Sequence, residues 1–308
     1  MLILGSHVSL GGKDQYLGSV REAIVYGGNA FMVYTGAPQN TIRKPVSTLK
    51  IPEAWTLMTT HGIDKGNIVV HAPYIVNLAN PEPDKRAFAI AFLTEEIRRT
   101  HALGAKTLVM HPGSHLGQGV AEGTAHIAAG LAKMIEDTAA LDVRIALEGM
   151  AGKGTEIGRT FAELAAIIDQ TAGHQRLGVC LDTCHSYDAG YDIRNDFDGV
   201  LEEFADIVGL DRLLVFHVND SKNLPGSGKD RHENIGFGKI GFAALMAVIN
   251  HRKLAEIPKI LETPFVPSVK YPEKGYPPYQ HEIAMIKSGV FDPNLKQKII
   301  DANEVVAR

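Results

Sequence analysis

Nine residues of this chain are of the kinds that hold metal ions or move protons. His71, His111, Glu148, Asp182, His217 and Glu262 each stand at the C-terminal end of a short apolar run. His185 follows Asp182 by three residues, and Asp230 and His232 lie two apart in the glycine-bounded stretch "GSGKDRHENIGFG" (226–238). That stretch has no apolar periodicity, so it adds little to a core. Taken singly, each residue has a plain structural explanation. A histidine at a strand end is more often a hydrogen-bonded core residue than a ligand. Glu148 and Glu262 read equally as buried acids paired with lysine, and Asp182 as a helix cap. Taken together they read differently, because charged side chains are rarely buried unless paired or metal-bound. Four carboxylates converging on one cavity would repel one another by several kcal/mol, and divalent cations remove that repulsion. Imidazole and carboxylate donors without thiolate suit Zn, Mn or Fe. Cys180 and Cys184 stand close by, but their C-x3-C spacing is not that of a zinc knuckle, and both read as small packing residues.

For these residues to meet, the elements must converge. The apolar runs are residues 2–9, 29–35, 67–74, 107–113, 144–149, 177–185, 213–220 and 257–264. Each is continuously apolar rather than alternating, as strands buried on both faces are. Between them lie segments with helical spacing, such as 84–104 and 122–142. Strands alternating with helices imply βαβ units and a parallel sheet. Eight units in a chain of 308 residues predict a TIM (β/α)8 barrel, one domain spanning residues 1–308, with all strand ends at one mouth. A doubly wound open sheet fits less well, since "GSHVSLGGK" after the first strand lacks the glycine fingerprint of that fold. No stretch approaches a membrane span or a secretory leader. Two cysteines in one short segment suit a reducing cytoplasm rather than a disulfide framework. A net charge of -4 alone argues mildly against a nucleic-acid partner.

The segments "VHAPY" (70–74), "MHPGSHLGQG" (110–119), "LDTCHSYDAGYD" (181–192), "FHVNDSK" (216–222), "GKDRHENIGFG" (228–238) and "LETP" (261–264) resemble the signature motifs of the endonuclease IV family. These are apurinic/apyrimidinic endonucleases of DNA base-excision repair, built as TIM barrels around three zinc ions. The resemblance runs over nearly the whole chain. It implies that His71, His111 and Glu148 hold one zinc, and that Glu148 bridges to a second completed by Asp182, His217 and Glu262. It also implies a third zinc on His185, Asp230 and His232, with partial replacement of zinc by Mn or Fe. After the strand-five glutamate the family usually reads N-T-A-G-Q-G, where this chain has "EGMAGKG" (148–154), so Gly149 and Met150 replace two polar neighbours.

The activity implied is hydrolysis of the phosphodiester 5′ to an abasic site, leaving a 3′-hydroxyl and a 5′-deoxyribose phosphate, with removal of 3′-blocking groups as a related hydrolysis. Glu148, His185, Asp230 and His232 would carry the chemistry, the last three at the leaving 3′-oxygen. Three zinc ions would add six positive charges at the mouth, so the net charge no longer argues against DNA. An abasic nucleotide has no base to unstack and turns outward at reduced cost. Prying it out is expected of the loop "TGAPQNTIRK" (35–44), with Gln39 and Asn40 filling the gap in the stack and Arg43 and Lys44 on flanking phosphates, and of Tyr74 beside His71. A cytoplasmic monomer acting on double-stranded DNA, without membrane contact, is the expectation. The competing reading is a sugar isomerase or epimerase using Glu148, Asp182, His217 and Glu262, which would leave the other five ligands without purpose. A non-catalytic binder of damaged DNA, or a barrel with a structural metal, is a further alternative. It fits poorly, because structural zinc is normally closed by cysteine and histidine.

Overall fold

All eight apolar runs form strands: β1 (Leu4–His7), β2 (Ala30–Tyr34), β3 (Ile68–His71), β4 (Thr107–Met110), β5 (Arg144–Glu148), β6 (Leu177–Asp182), β7 (Leu213–His217) and β8 (Lys259–Leu261). The computed structural model describes residues 1–304. The strands pair in parallel in chain order, and β8 closes on β1 to complete a TIM barrel. Their apolar continuity follows from burial on two sides. Met32, Val69, Val109, Ala146, Val215 and Ile260 fill the barrel interior. Residues in alternate positions, such as Phe31, Val70, Leu108 and Leu147, pack outward against the helices. At β1 the backbones approach so closely that a Cβ on Gly5 would lie 1.8 Å from the Ala30 carbonyl oxygen, so no larger residue fits.

The helices are α1 (Gln15–Tyr26), α2 (Ile51–Thr60), α3 (Pro83–Leu103), α4 (Val120–Asp137), α5 (Phe161–Asp169), α6 (Thr183–Ala189), α7 (Phe197–Ile207), α8 (Phe242–Ile249), α9 (Tyr279–Ser288) and α10 (Leu295–Glu304). The spacing that predicts a helix over 84–104 is met by α3, which opens on Pro83 and closes on left-handed Gly104. Over 122–142 the helix stops early, at Asp137. There the Arg176 guanidinium donates to the carbonyls of Ile135 (3.3 Å) and Thr138 (2.9 Å), satisfying groups a longer helix would have used. No helix among the described residues is long and apolar enough to cross a membrane.

The loops at the C-terminal mouth are braced by two-residue ribbons. Gly113–Ser114 pairs with Glu156–Ile157, Asp220–Ser221 with His232–Glu233, and Val266–Pro267 with Gly275–Tyr276. The stretch carrying Asp230 and His232 is therefore pinned beside the end of β7. Asp220, fully buried, reinforces it by accepting the N–H groups of Gly236 (3.1 Å), Gly238 (2.9 Å) and Ile240 (2.9 Å).

Candidate metal centre

His71, Glu148, Asp182 and His217 are the last residues of β3, β5, β6 and β7, while His111 and Glu262 lie one past the ends of β4 and β8. Parallel pairing sets Asp182 opposite His217. The fold brings all nine predicted ligands together in three groups: His71, His111, Glu148; Glu148, Asp182, His217, Glu262; and His185, Asp230, His232. Within each group the donor atoms lie within 4.8 Å of one another. Glu148 is the hub. Its Oε2 is 3.0 Å from His71 Nε2 and 3.2 Å from His111 Nε2, and its Oε1 is 3.0 Å from His217 Nδ1. Glu262 Oε2 reaches His217 Nδ1 at 3.1 Å. Asp230 Oδ1 lies 3.2 Å from His185 Nε2 and 3.4 Å from His232 Nε2.

The heart of the centre sits in low dielectric, for Glu148, Asp182 and His217 are at most 1% exposed, while Asp230 and His232 lie nearer the surface. Two carboxylates within 4.8 Å repel by at least about 3.5 kcal/mol at an effective dielectric of about 20. Burial pushes the Glu148 carboxyl upward, but the imidazoles of His217, His111 and His71 together outweigh it and hold the group well below the usual carboxylate range. Burial likewise opposes charge on His185, yet Asp182, Asp230 and Glu148 raise its pKa well above the ordinary histidine value. In the metal-free chain, protons on imidazoles thus supply the positive charge the acids demand. Divalent cations would supply more of it from the same positions. The donor set also fits in detail. His71, His185 and His232 each donate Nδ1–H to a backbone carbonyl, of Ala72 (2.7 Å), Gly149 (3.1 Å) and Glu262 (3.2 Å), which turns Nε2 toward the centre. Metal-binding histidines are held this way.

The departure at Gly149 and Met150 leaves this support intact. Gly149 acts through its carbonyl, which any residue supplies, and Met150 is 2% exposed with its N–H donated to the Gly158 carbonyl at 2.9 Å. Met150 lines a cavity of about 240 Å³ beside His111, and Tyr74, half exposed, stands at its edge.

Several residues organise the centre, and all but Asp182, which the sequence already offers as cap and ligand, escape sequence reasoning. Asp182 caps α6 through Oδ1, accepting from Cys184 N (2.6 Å) and His185 N (3.0 Å), so it is both cap and candidate ligand. Asn219, fully buried, donates Nδ2 to Asp182 Oδ2 (2.7 Å) and accepts the Glu262 N–H on Oδ1 (2.9 Å). Asp188 accepts the backbone N–H of Asp230 at 3.0 Å, holding that residue at φ +51°, a left-handed conformation that costs free energy outside glycine. Glu282 on α9 accepts from Ile235 N (2.9 Å), Asn234 Nδ2 (3.2 Å) and the Thr263 hydroxyl, tying the loops after β7 and β8 together. His7 and Tyr34 complete the mouth from β1 and β2, with Tyr34 ring-to-ring at 5.3 Å from His7 and 5.0 Å from His71.

The loop after β2 divides. Gln39 and Lys44 are exposed as expected, and the Asn40 side chain is partly used within the loop, accepting the Ile42 N–H at 2.9 Å. Arg43 departs from the expectation. Its Nε lies 2.8 Å from Glu96 Oε1, with side chains only 8% and 0% exposed, and its guanidinium covers the Phe92 ring at 4.9 Å. A buried glutamate needs that charge more than solvent does, so Arg43 turns inward and is not presented to a phosphate.

Comparison with known proteins agrees with this geometry. Residues 20–288 match the model of the xylose isomerase-like TIM barrel family. A probable endonuclease 4 of Acholeplasma laidlawii is 56% identical over 97% of this chain and 99% of the relative. The crystal structure of endonuclease IV from Thermus thermophilus superposes with a TM-score of 0.78 at 31% identity, over 93% of this chain and 98% of that one. A D-tagatose 3-epimerase-like protein, at 20% identity and TM-score 0.66 over 98% of this chain and 100% of that one, shares the fold alone. The chain belongs to the endonuclease IV family of xylose isomerase-like TIM barrels.

Proposed function

We propose that this protein hydrolyses the phosphodiester 5′ to abasic sites in double-stranded DNA, leaving a 3′-hydroxyl and a 5′-deoxyribose phosphate, and that it clears blocked 3′ ends at the same centre. The observation that carries the reading is the convergence of three donor groups at one mouth, two of them sharing Glu148. A sugar epimerase needs the group of Glu148, Asp182, His217 and Glu262, but not His71, His111, His185, Asp230 and His232. A relative named a probable endonuclease 4 aligns over 99% of its own length.

Three ions, zinc by donor chemistry with Mn or Fe as partial substitutes, would be held by the three groups. When bound they supply Lewis acidity and bring the pKa of a water from about 15.7 to about 7. The chain's own residues do the rest. Glu148 spans two groups and fixes their separation. Asp182, both cap and ligand, joins the second group to α6, which carries His185. His185, Asp230 and His232 form the group nearest the braced loop and face the leaving 3′-oxygen. Tyr74, Gln39 and Asn40 would meet the DNA around the lesion, and Lys44 a flanking phosphate. The reading carries with it a cytoplasmic monomer working directly on DNA.

The test is incision of a labelled duplex containing one synthetic abasic site, with the ends identified. A product extendable by a polymerase, absent after thorough metal stripping, is expected. Epimerisation of a ketohexose without incision would replace this reading with the sugar one.

A further inference from the structure

We propose that Cys180 is a positioning residue of this centre, its sulfur accepting the Nε2–H of His217 so that His217 Nδ1 is presented to Glu148 and Glu262. The inference rests on the metal-centre reading and goes beyond its ligands. In His71, His185 and His232 the outward ring nitrogen, Nδ1, is satisfied by a backbone carbonyl. His217 is inverted. Its Nδ1 faces the carboxylates at 3.0 and 3.1 Å, while its Nε2 is buried with no hydrogen-bond partner. A buried N–H left without an acceptor costs about 1–3 kcal/mol.

Cys180 is placed to relieve this. It lies opposite Glu148 across the β5–β6 pairing and opposite Val215 of β7, two residues from His217. It is fully buried, and its sulfur, a Glu148 oxygen and a His217 ring nitrogen lie within 4.8 Å of one another. The Leu181 carbonyl oxygen, 4.0 Å away, is the acceptor within reach of its thiol hydrogen, which leaves the sulfur lone pairs for His217. The small packing residue expected from the sequence thus takes the part that a backbone carbonyl plays for the other three histidines.

Two measurements test this on the full-length, zinc-loaded protein. In a histidine ¹⁵N spectrum, His217 should be protonated at Nε2 and metal-bound at Nδ1, the reverse of His71, His185 and His232. Protonation of His217 at Nδ1 would overturn the proposal, and needs no variant to fold. The second measurement is zinc transfer to a chromogenic chelator. Cys180→Val fills the space without an acceptor and should release its most labile zinc about 10- to 100-fold faster than wild type, the usual scale for losing such a support. Cys180→Ser restores an acceptor and should stay within about threefold of wild type on that scale. A Cys180→Val protein that holds zinc as wild type does would overturn the role of Cys180 while leaving the metal centre standing. A wild-type protein that takes up no zinc would overturn both.

Discussion

Replacing Asn219 with aspartate preserves shape but inverts one interaction at the heart of the centre. Asn219 donates Nδ2 to Asp182 Oδ2 at 2.7 Å and accepts the Glu262 N–H on Oδ1 at 2.9 Å. In Asn219→Asp the second contact survives, but a carboxylate oxygen faces Asp182 where a donor stood. Two unit charges 2.7 Å apart repel by about 6 kcal/mol at an effective dielectric of about 20. Holding one shared proton costs less: about 1.4 kcal/mol per pH unit above an ordinary aspartate pKa of about 3.9. That is about 4 kcal/mol at pH 7 and about 1.5 kcal/mol at pH 5. The pair should therefore take up a proton on folding. A pKa raised in the folded state means that stability is lost as pH rises, so the variant's deficit should grow with pH. Denaturant unfolding of metal-stripped wild type and variant at both pH values measures it. A deficit under about 1 kcal/mol at pH 7, or one that does not change with pH, would refute the claim that Asn219 donates to the Asp182 carboxyl group.

Other residues give further predictions. His232→Ala should lower abasic-site incision by about 10²- to 10³-fold, the scale of losing one preorganised electrostatic contact to a developing oxyanion, while elemental analysis shows the other two groups still loaded. Lys44→Ala should flatten the slope of log affinity against log salt by about 0.9, whereas Arg43→Ala should leave the slope unchanged and destabilise the fold by up to about 3 kcal/mol, since buried Glu96 loses its ion-pair partner and keeps the Thr35 hydroxyl. Burial pushes the Glu282 carboxyl up to about 7, so its ionisation opposes folding increasingly as pH rises from the unfolded value of 4.5 through 7. Glu282→Gln should therefore be more stable than wild type at pH 8, by up to about 3 kcal/mol, with the advantage falling to about 1 kcal/mol by pH 5.

What was legible in the sequence is what is periodic or repeated. The strands showed because both faces are buried, and six ligands showed because each ends such a run. His71 and Glu148 stand at strand ends whatever the loops do. Side-chain direction in the loops was less legible, because it depends on distant partners. Arg43 reads as a solvent cation until Glu96, 53 residues on, is placed beneath it. The early end of α4 is set by Arg176, which belongs to the approach to β6. Asn219, Asp188 and Glu282 lie within or near motifs but bind no metal by family pattern, so only their buried partners reveal their work. The stretch from Gly226 to Gly238 reads as irregular because its order comes from Asp220 and from a two-residue ribbon.

The central claim is that nine ligands form one three-metal centre for cutting abasic DNA. Its most direct test is to strip the purified protein of metal, return zinc in measured steps, and follow bound zinc together with incision of an abasic duplex. The account predicts that binding and full activity both saturate near three zinc per chain. Saturation of activity at one zinc per chain, with the remaining ligands empty, would contradict it.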